Sequence, residues 1–206
     1  MATAALTRYT PEEYVALERN AEFKSEYIDG RIVAMSGATE PHVTIVGNIA
    51  AELRTRLRGG PCRAYASEMR VQIAGGRRYT YPDVVAVCGE RQFIDGVMDT
   101  LSNPVLIFEV LSPSTEAYDR AEKFHYYQLI ESLQEYILVA QDQPRVECYT
   151  RGTGGDVWYL WTETDLDKEV EFYSVGCRIP LHEIYENVVF RPRPPVEPQG
   201  SEATAC

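Results

Sequence analysis

Residues 104–127 carry the most uniformly apolar run in the chain, followed by a helix-forming segment: PVLIFEVLSPSTEAYDRAEKFHYY. The apolar run predicts a buried central strand at about 104–111, and the break at Ser112-Pro113 precedes a predicted helix at about 116–131. One carboxylate, Glu109, lies inside the predicted strand. Burying a carboxylate is costly unless it is paired or holds a cation. Glu109 is therefore the first candidate functional residue.

A second carboxylate precedes the neighbouring apolar run. Asp83 follows Pro82 and opens a Val-Val-Ala-Val strand, so Asp83 and Glu109 can converge if the two strands are adjacent. Two carboxylates that close repel each other unless a cation lies between them. Mg²⁺ is commonly held by one or two carboxylates, waters and a substrate phosphate. The residues alone leave alternatives open: Asp83 as a turn or cap residue, and Glu109 as the partner of a buried arginine.

The predicted helix contributes a lysine. Asp119, Lys123 and Tyr127 are spaced four apart and share one helical face. On spacing alone, a surface Asp119–Lys123 pair of little energetic value is the favoured interpretation. The functional alternative is that the ammonium orients a water and stabilises negative charge developing on a phosphate.

The remaining pattern predicts a mixed α/β (α+β) domain. Thr10, Pro11 and Glu13 form a capping box for a helix at about 11–19, and Asp29-Gly30 predicts a hairpin of strands 24–28 and 31–36. A second helix is predicted at 41–58, ending at Gly59-Gly60. Further predicted strands cover about 64–73, 81–87, 134–140, 145–150, 158–162 and 170–173, with a loop or short helix at 89–103 and a last turn or short helix at 179–185.

Composition restricts the location and the partners. The 206 residues carry a net charge of −11, which argues against a protein coated with positive charge, although arginines cluster at 54–63 and 70–78. No apolar run approaches the roughly 20 residues of a membrane span, and the first residues lack a signal-peptide pattern, so we expect a cytoplasmic protein. The five cysteines are widely spaced and predict reduced, mostly buried thiols.

Several segments together resemble a known family. They are Glu26-Tyr-Ile-Asp-Gly-Arg-Ile, His42, Tyr81-Pro-Asp-Val-Val, and Phe108-Glu-Val-Leu-Ser-Pro-Ser-Thr followed by Asp119, Lys123 and Tyr127. This pattern is similar to the Uma family of restriction-endonuclease-like proteins, a branch of the PD-(D/E)XK nuclease superfamily. The resemblance covers roughly residues 8–190. We therefore expect one nuclease domain over 1–190 and a disordered, Pro-rich tail over 191–206.

The resemblance implies a restriction-endonuclease-like fold with a central mixed sheet and flanking helices. It implies that Asp83, Glu109 and the main-chain carbonyl of Val110 bind Mg²⁺ or Mn²⁺. The superfamily pattern places a lysine where this chain has Leu111, and the resemblance implies that Lys123 takes over that catalytic role.

Three further residues are candidate accessory groups: Glu26, His42 and Tyr127. An exposed hairpin position is the stronger interpretation of Glu26, and an ordinary helix N-terminal position that of His42. The implied activity is endonucleolytic cleavage of DNA by a homodimer. An inactive nuclease-fold module for binding or assembly is the alternative, and hydrolysis of another phosphate ester is a third, weaker one.

Overall fold

The computed structural model describes residues 7–190. The predicted disorder of residues 191–206 and the thiol of Cys206 lie outside that range. The observed helices are α1 (Pro11–Glu18), α2 (Glu40–Arg56), α3 (Glu116–Tyr118), α4 (Phe124–Tyr127) and α5 (Leu181–Ile184). The strands are β1 (Ser25–Ile28), β2 (Arg31–Ala34), β3 (Cys62–Ala66), β4 (Arg70–Ile73), β5 (Arg78–Thr80), β6 (Val84–Cys88), β7 (Thr100–Leu101), β8 (Leu106–Leu111), β9 (Glu135–Ala140), β10 (Val146–Arg151), β11 (Trp158–Glu163), β12 (Glu169–Phe172) and β13 (Cys177–Pro180).

The central sheet has six strands in the order β11-β10-β9-β8-β6-β3. β8 and β9 are parallel, whereas β8 is antiparallel to β6, so the sheet is mixed as predicted. β8 lies in the interior of the sheet and every one of its residues is buried. Its continuous apolar sequence is the pattern expected of a strand covered on both faces.

The two faces of β8 belong to different cores. Leu106, Phe108 and Val110 pack with α2 and with the β12–β13 hairpin on one face. Ile107 and Leu111 pack with Tyr127 of α4 on the other. Because strand side chains alternate between faces, Glu109 points to the face that carries α4.

A second, five-stranded sheet has the order β2-β1-β5-β4-β7. Its hairpin turn is the predicted one: Asp29 has φ 46° and Gly30 φ 92°, the positive values that such a tight turn requires. Helix α1 has the predicted capping box and packs Tyr14 against Tyr27 and Tyr79 of this sheet.

Two stretches cross from one sheet to the other, and this overturns part of the prediction. The single strand predicted at 64–73 is wrong, because the chain leaves the central sheet at Ala66 and enters the second sheet at Arg70. A non-glycine residue with positive φ, Ser67, lies at that crossing. The chain crosses back between Thr80 and Val84, so Asp83 lies at the junction of the two sheets.

The predicted continuous helix at 116–131 is also revised. It consists of α3, a π-helical turn at Asp119–Lys123 and α4, and it ends at Tyr127. A π-turn adds a residue per turn and rotates the side chains that follow it. The position of Lys123 therefore depends on this turn.

The cysteine prediction is partly wrong. Cys62 and Cys88 form a disulfide, because the β3–β6 register places them directly opposite each other. Cys148 and Cys177 are free and buried, as expected. The pairing across 26 residues joins two strands whose adjacency is not visible in the sequence. Within residues 7–190, no helix is long and apolar enough to cross a membrane.

Arg70 links the second sheet to the loop before β7. It is 2% exposed, its Nε donates to Thr100 Oγ1 over 2.8 Å, and its Nη2 lies 3.1 Å from Asp99 Oδ1. Asp99 also accepts a 2.7 Å hydrogen bond from Arg19, just after α1. Asp99 thus holds together three segments that are distant in sequence.

We expect Asp99→Asn to lower the free energy of unfolding by about 2 kcal/mol, because a buried guanidinium loses its ionised partner. Urea denaturation followed by circular dichroism measures this. The matched control is Asp95→Asn, which removes only an exposed partner of Arg19 and should cost less than about 1 kcal/mol. Equal losses in the two variants would contradict the role assigned to Arg70.

Candidate active site

A cleft of about 710 Å³ opens where the two sheets meet. Its lining includes Glu26 from β1, Asp83 from the crossing, Glu109 from β8, and Asp119 and Lys123 from the π-turn. Four segments that are separate in sequence therefore bring their ionisable groups to one place.

Lys123 occupies the centre of this group. It is 7% exposed, and its Nζ lies 2.9 Å from Glu109 Oε1, 3.5 Å from Glu26 Oε1 and 3.6 Å from Asp119 Oδ1. Lys123 therefore reaches Glu109 from the helix, as it must if it replaces a lysine at position 111. The favoured interpretation of Asp119–Lys123 as a surface pair is wrong, since both side chains are buried.

Leu111, at the position where the superfamily pattern places a lysine, does not line the cleft. It lies on the same face of β8 as Glu109 but is 4% exposed and packs in the apolar core beneath α4. A lysine there would place an ammonium among apolar side chains. Instead, the ammonium that contacts Glu109 belongs to Lys123 of the π-turn, which packs over the strand.

Tyr127 fixes Glu109 from the other side. Its hydroxyl donates a 2.8 Å hydrogen bond to Glu109 Oε1 and lies 3.0 Å from Thr80 Oγ1. Both hydrogen bonds to Glu109 fall on Oε1, which leaves Oε2 without a donor among the described contacts. Thr80 was not among the residues singled out from the sequence, because a single threonine in an unpredicted strand carries no signal.

Asp83 is held by two bonds. Its Oδ2 accepts a 2.7 Å hydrogen bond from the main-chain N–H of Val110, and its Oδ1 lies 2.9 Å from His42 Nε2. The first bond places Asp83 against the main chain next to Glu109. The second connects the N-terminal part of α2 to the site, so His42 contacts Asp83 in addition to its place in the first turn of the helix.

Glu26 corrects an expectation. The exposed hairpin position that the sequence favoured is wrong: Glu26 is 9% exposed, and its Oε1 lies 3.5 Å from Lys123 Nζ. Its Oε1 is buried and makes no hydrogen bond. A buried carboxylate oxygen without a hydrogen bond at the edge of this site is suited to a further ligand.

The protonation of the cluster follows from its burial and its excess of carboxylates. Burial lowers the pKa of Lys123, but Glu109, Tyr127, Glu26 and Asp119 outweigh this and hold it well above its ordinary value. Burial raises the pKa of Glu109 well above normal, and Asp83 and Asp119 oppose the lowering effect of Lys123. Lys123 is therefore charged, and the cluster retains protons on carboxyl groups that would otherwise ionise.

The donor set fits a hard divalent cation. Four carboxylates, Glu26, Asp83, Glu109 and Asp119, line the cleft together with two lysines, so fully ionised groups would leave a local excess of negative charge. Oxygen donors are those that Mg²⁺ and Mn²⁺ prefer. Across residues 7–190, no three His, Cys, Asp or Glu side chains are already arranged as a metal-binding cluster. The fit therefore rests on one or two carboxylates with a main-chain carbonyl and waters, as is usual for Mg²⁺.

The family model described as Uma2, "Putative restriction endonuclease", matches residues 11–176. The chain belongs to the Uma2 family. The matched range contains every residue of the candidate site, from Glu26 to Tyr127.

Two further proteins and one solved structure resemble this chain over most of its length. The uncharacterized protein slr1290 of Synechocystis sp. is 35% identical over 193 residues, which cover 91% of this chain and 97% of the relative. A second uncharacterized Synechocystis protein, sll1609, is 36% identical over 172 residues, covering 84% and 97%. A crystal structure from Anabaena variabilis, described as a "putative nuclease belonging to DUF820", superposes with a TM-score of 0.69 at 20% identity, covering 86% of this chain and 97% of that one. That likeness shows the nuclease-type fold.

We expect Glu109→Gln to raise the melting temperature in EDTA by about 3 °C at pH 8 and by less at pH 6. The folded-state pKa of Glu109 is raised, so its contribution to stability is present at low pH and is lost as the pH rises through that value. The glutamine side chain does not ionise, so the variant does not lose this stability as the pH rises. Differential scanning fluorimetry of both proteins across this pH range measures the difference.

The control is Glu90→Gln, which makes the same chemical change at an exposed position. Its melting temperature should follow the wild type at every pH. A difference between Glu109→Gln and wild type that does not change with pH would contradict the protonation assigned to the cluster.

Proposed function

We propose that this Uma2 protein is a metal-dependent endonuclease that hydrolyses phosphodiester bonds in DNA. The observation that carries the proposal is the buried Lys123, which three carboxylates contact in an open cleft that Asp83 also lines. A site with this excess of carboxylates attracts a divalent cation, and a phosphodiester can approach it only when that cation is present.

Asp83, Glu109 and the carbonyl of Val110 are the proposed metal ligands. The hydrogen bond from Val110 N–H holds Asp83 beside the strand that carries the other two. Glu109 would use Oε2, since Lys123 and Tyr127 already engage Oε1. A bound Mg²⁺ or Mn²⁺ would lower the pKa of a water and neutralise charge on the phosphate.

Lys123 is the proposed catalytic lysine. Its ammonium stays protonated and so can donate hydrogen bonds to a water or to a phosphate oxygen on which charge develops. Glu26 and Asp119, beside the ammonium, hold it in position. Tyr127 orients Glu109, and His42 orients Asp83, so these two are proposed as positioning residues rather than catalytic ones.

The cytoplasmic location and the homodimer remain predictions. Sedimentation velocity of the purified chain would determine its oligomeric state directly.

We expect Lys123→Met to reduce DNA cleavage by about 10²–10³-fold while leaving Mn²⁺ binding in place. Asp83→Asn and Glu109→Gln should lose both metal affinity and cleavage, because each removes a ligand. Plasmid cleavage assays and calorimetric Mn²⁺ titration measure the two properties separately. Lys168→Met, on the exposed surface, is the control and should behave as wild type.

The alternatives have distinct outcomes. DNA binding without cleavage under any divalent metal would favour an inactive nuclease-fold module for binding or assembly. Cleavage of small phosphate esters, with no effect on DNA, would assign the same site to another substrate. Mn²⁺ affinity that is unchanged in Asp83→Asn would disprove the metal site.

A further inference from the structure

One wall of the active-site cleft is apolar although it is open to solvent. Phe23, Val33, Met35 and Val43 all line the cleft and are 76%, 45%, 39% and 59% exposed. Exposed apolar side chains gathered in a cleft mark a surface that binds something. The metal site and Lys123 do not use any of these four residues.

The strand register places this wall directly beside the charged cluster. Glu26 is paired with Val33 across the β1–β2 hairpin, so the two side chains share a face. Met35 lies two residues beyond Val33, on that same face, and its N–H bonds to the carbonyl of Lys24. The apolar surface therefore begins next to the Glu26 carboxylate and runs outward from it.

The basic side chains in the cleft already have partners. Lys24 Nζ lies 2.7 Å from Glu68, Lys123 is held by Glu109, and His42 bonds to Asp83. No arginine from the described part of the chain lines the cleft. Arg70 and Arg78, which belong to the clusters noted in the sequence, are buried and paired elsewhere.

This chemistry suits an unpaired strand better than a double helix. Proteins bind duplex DNA mainly through lysine and arginine contacts to phosphates. Single strands depend less on phosphate contacts, because their exposed bases also stack on aromatic side chains. A cleft of about 710 Å³ has the size of a small-ligand pocket and suits one or two nucleotides.

We propose that the substrate is an unpaired DNA strand, with the scissile phosphate at Asp83 and Glu109 and an adjoining base packed against Phe23, Val33, Met35 and Val43. This assignment rests on the proposed nuclease function and specifies its substrate class. Phe23, as the aromatic member of the wall, provides the stacking surface.

Fluorescence anisotropy with labelled oligo-dT and with a blunt duplex of equal length tests the proposal, in Ca²⁺ to permit binding without rapid cleavage. We expect the single strand to bind at least about tenfold more tightly than the duplex. Phe23→Ala should weaken single-strand binding about tenfold, because base–aromatic stacking is lost. Its high exposure means that the fold should tolerate the change, which a melting curve verifies.

The matched control is Tyr159→Ala, an aromatic residue of similar exposure on β11 that does not line the cleft. Its affinity should equal that of wild type. Equal or tighter binding of the duplex, or no effect of Phe23→Ala, would overturn the assignment. So would a wild-type dimer that Phe23→Ala dissociates, since the wall would then be an interface between copies.

The cleavage assay in Mn²⁺ tests the nuclease proposal and the assignment of an unpaired strand separately. If duplex DNA is cut and the single strand is not, the nuclease proposal stands and the unpaired-strand assignment fails. If neither is cut and Asp83→Asn leaves Mn²⁺ affinity unchanged, the nuclease proposal fails, and the substrate assignment fails with it.

Discussion

The buried contact between Lys123 and Glu109 is the interaction on which the rest of the site depends. An ammonium and a carboxylate removed from water are tolerable only when each is paired and hydrogen-bonded. Here Tyr127 donates a further hydrogen bond to Glu109, and Glu26 and Asp119 lie beside the ammonium of Lys123. Removing the ammonium would leave Glu26, Glu109 and Asp119 close together without a cation, so the cluster behaves as a unit.

The fold meets this requirement by bringing two sheets together at one point. β8 supplies Glu109 from the central sheet, β1 supplies Glu26 from the second sheet, and Asp83 lies where the chain passes between them. The π-turn at Asp119–Lys123 then directs an ammonium onto the strand. π-Turns occur preferentially at functional sites, and here the turn lets a helix supply the lysine that the strand, with Leu111 in its core, cannot.

Much of the fold could be predicted from local sequence patterns. The capping box of α1, the Asp29-Gly30 turn, helix α2 and the apolar strand β8 each follow from residues near one another in sequence, and the structure confirms them. Asp83, Glu109 and Lys123 were found by their chemistry and by family resemblance, and the structure brings them into one cleft.

Features set by long-range pairing could not be predicted in the same way. Whether 64–73 is one strand or two depends on the second sheet, which no local period reveals. The burial of Glu26 depends on Lys123, which is distant in sequence and lies beside its carboxylate. The Cys62–Cys88 pairing depends on the register between β3 and β6. In each case a contact between residues distant in sequence determines the strand, the burial or the disulfide. The adjacent residues in the sequence give no sign of it.

The electrostatics of the cleft limit how a nucleic acid can bind there. The chain has a net charge of −11, and four carboxylates outnumber the two lysines that line the cleft, so polyanion attraction cannot supply the affinity. A divalent cation offsets the charge only where the reacting phosphate lies. The neighbouring phosphates lie away from that cation, and Lys24, the other lysine of the cleft, is already paired with Glu68. Affinity must then come from a part of the nucleotide that carries no charge, and the exposed apolar wall beside Glu26 is the surface in this cleft that can provide it.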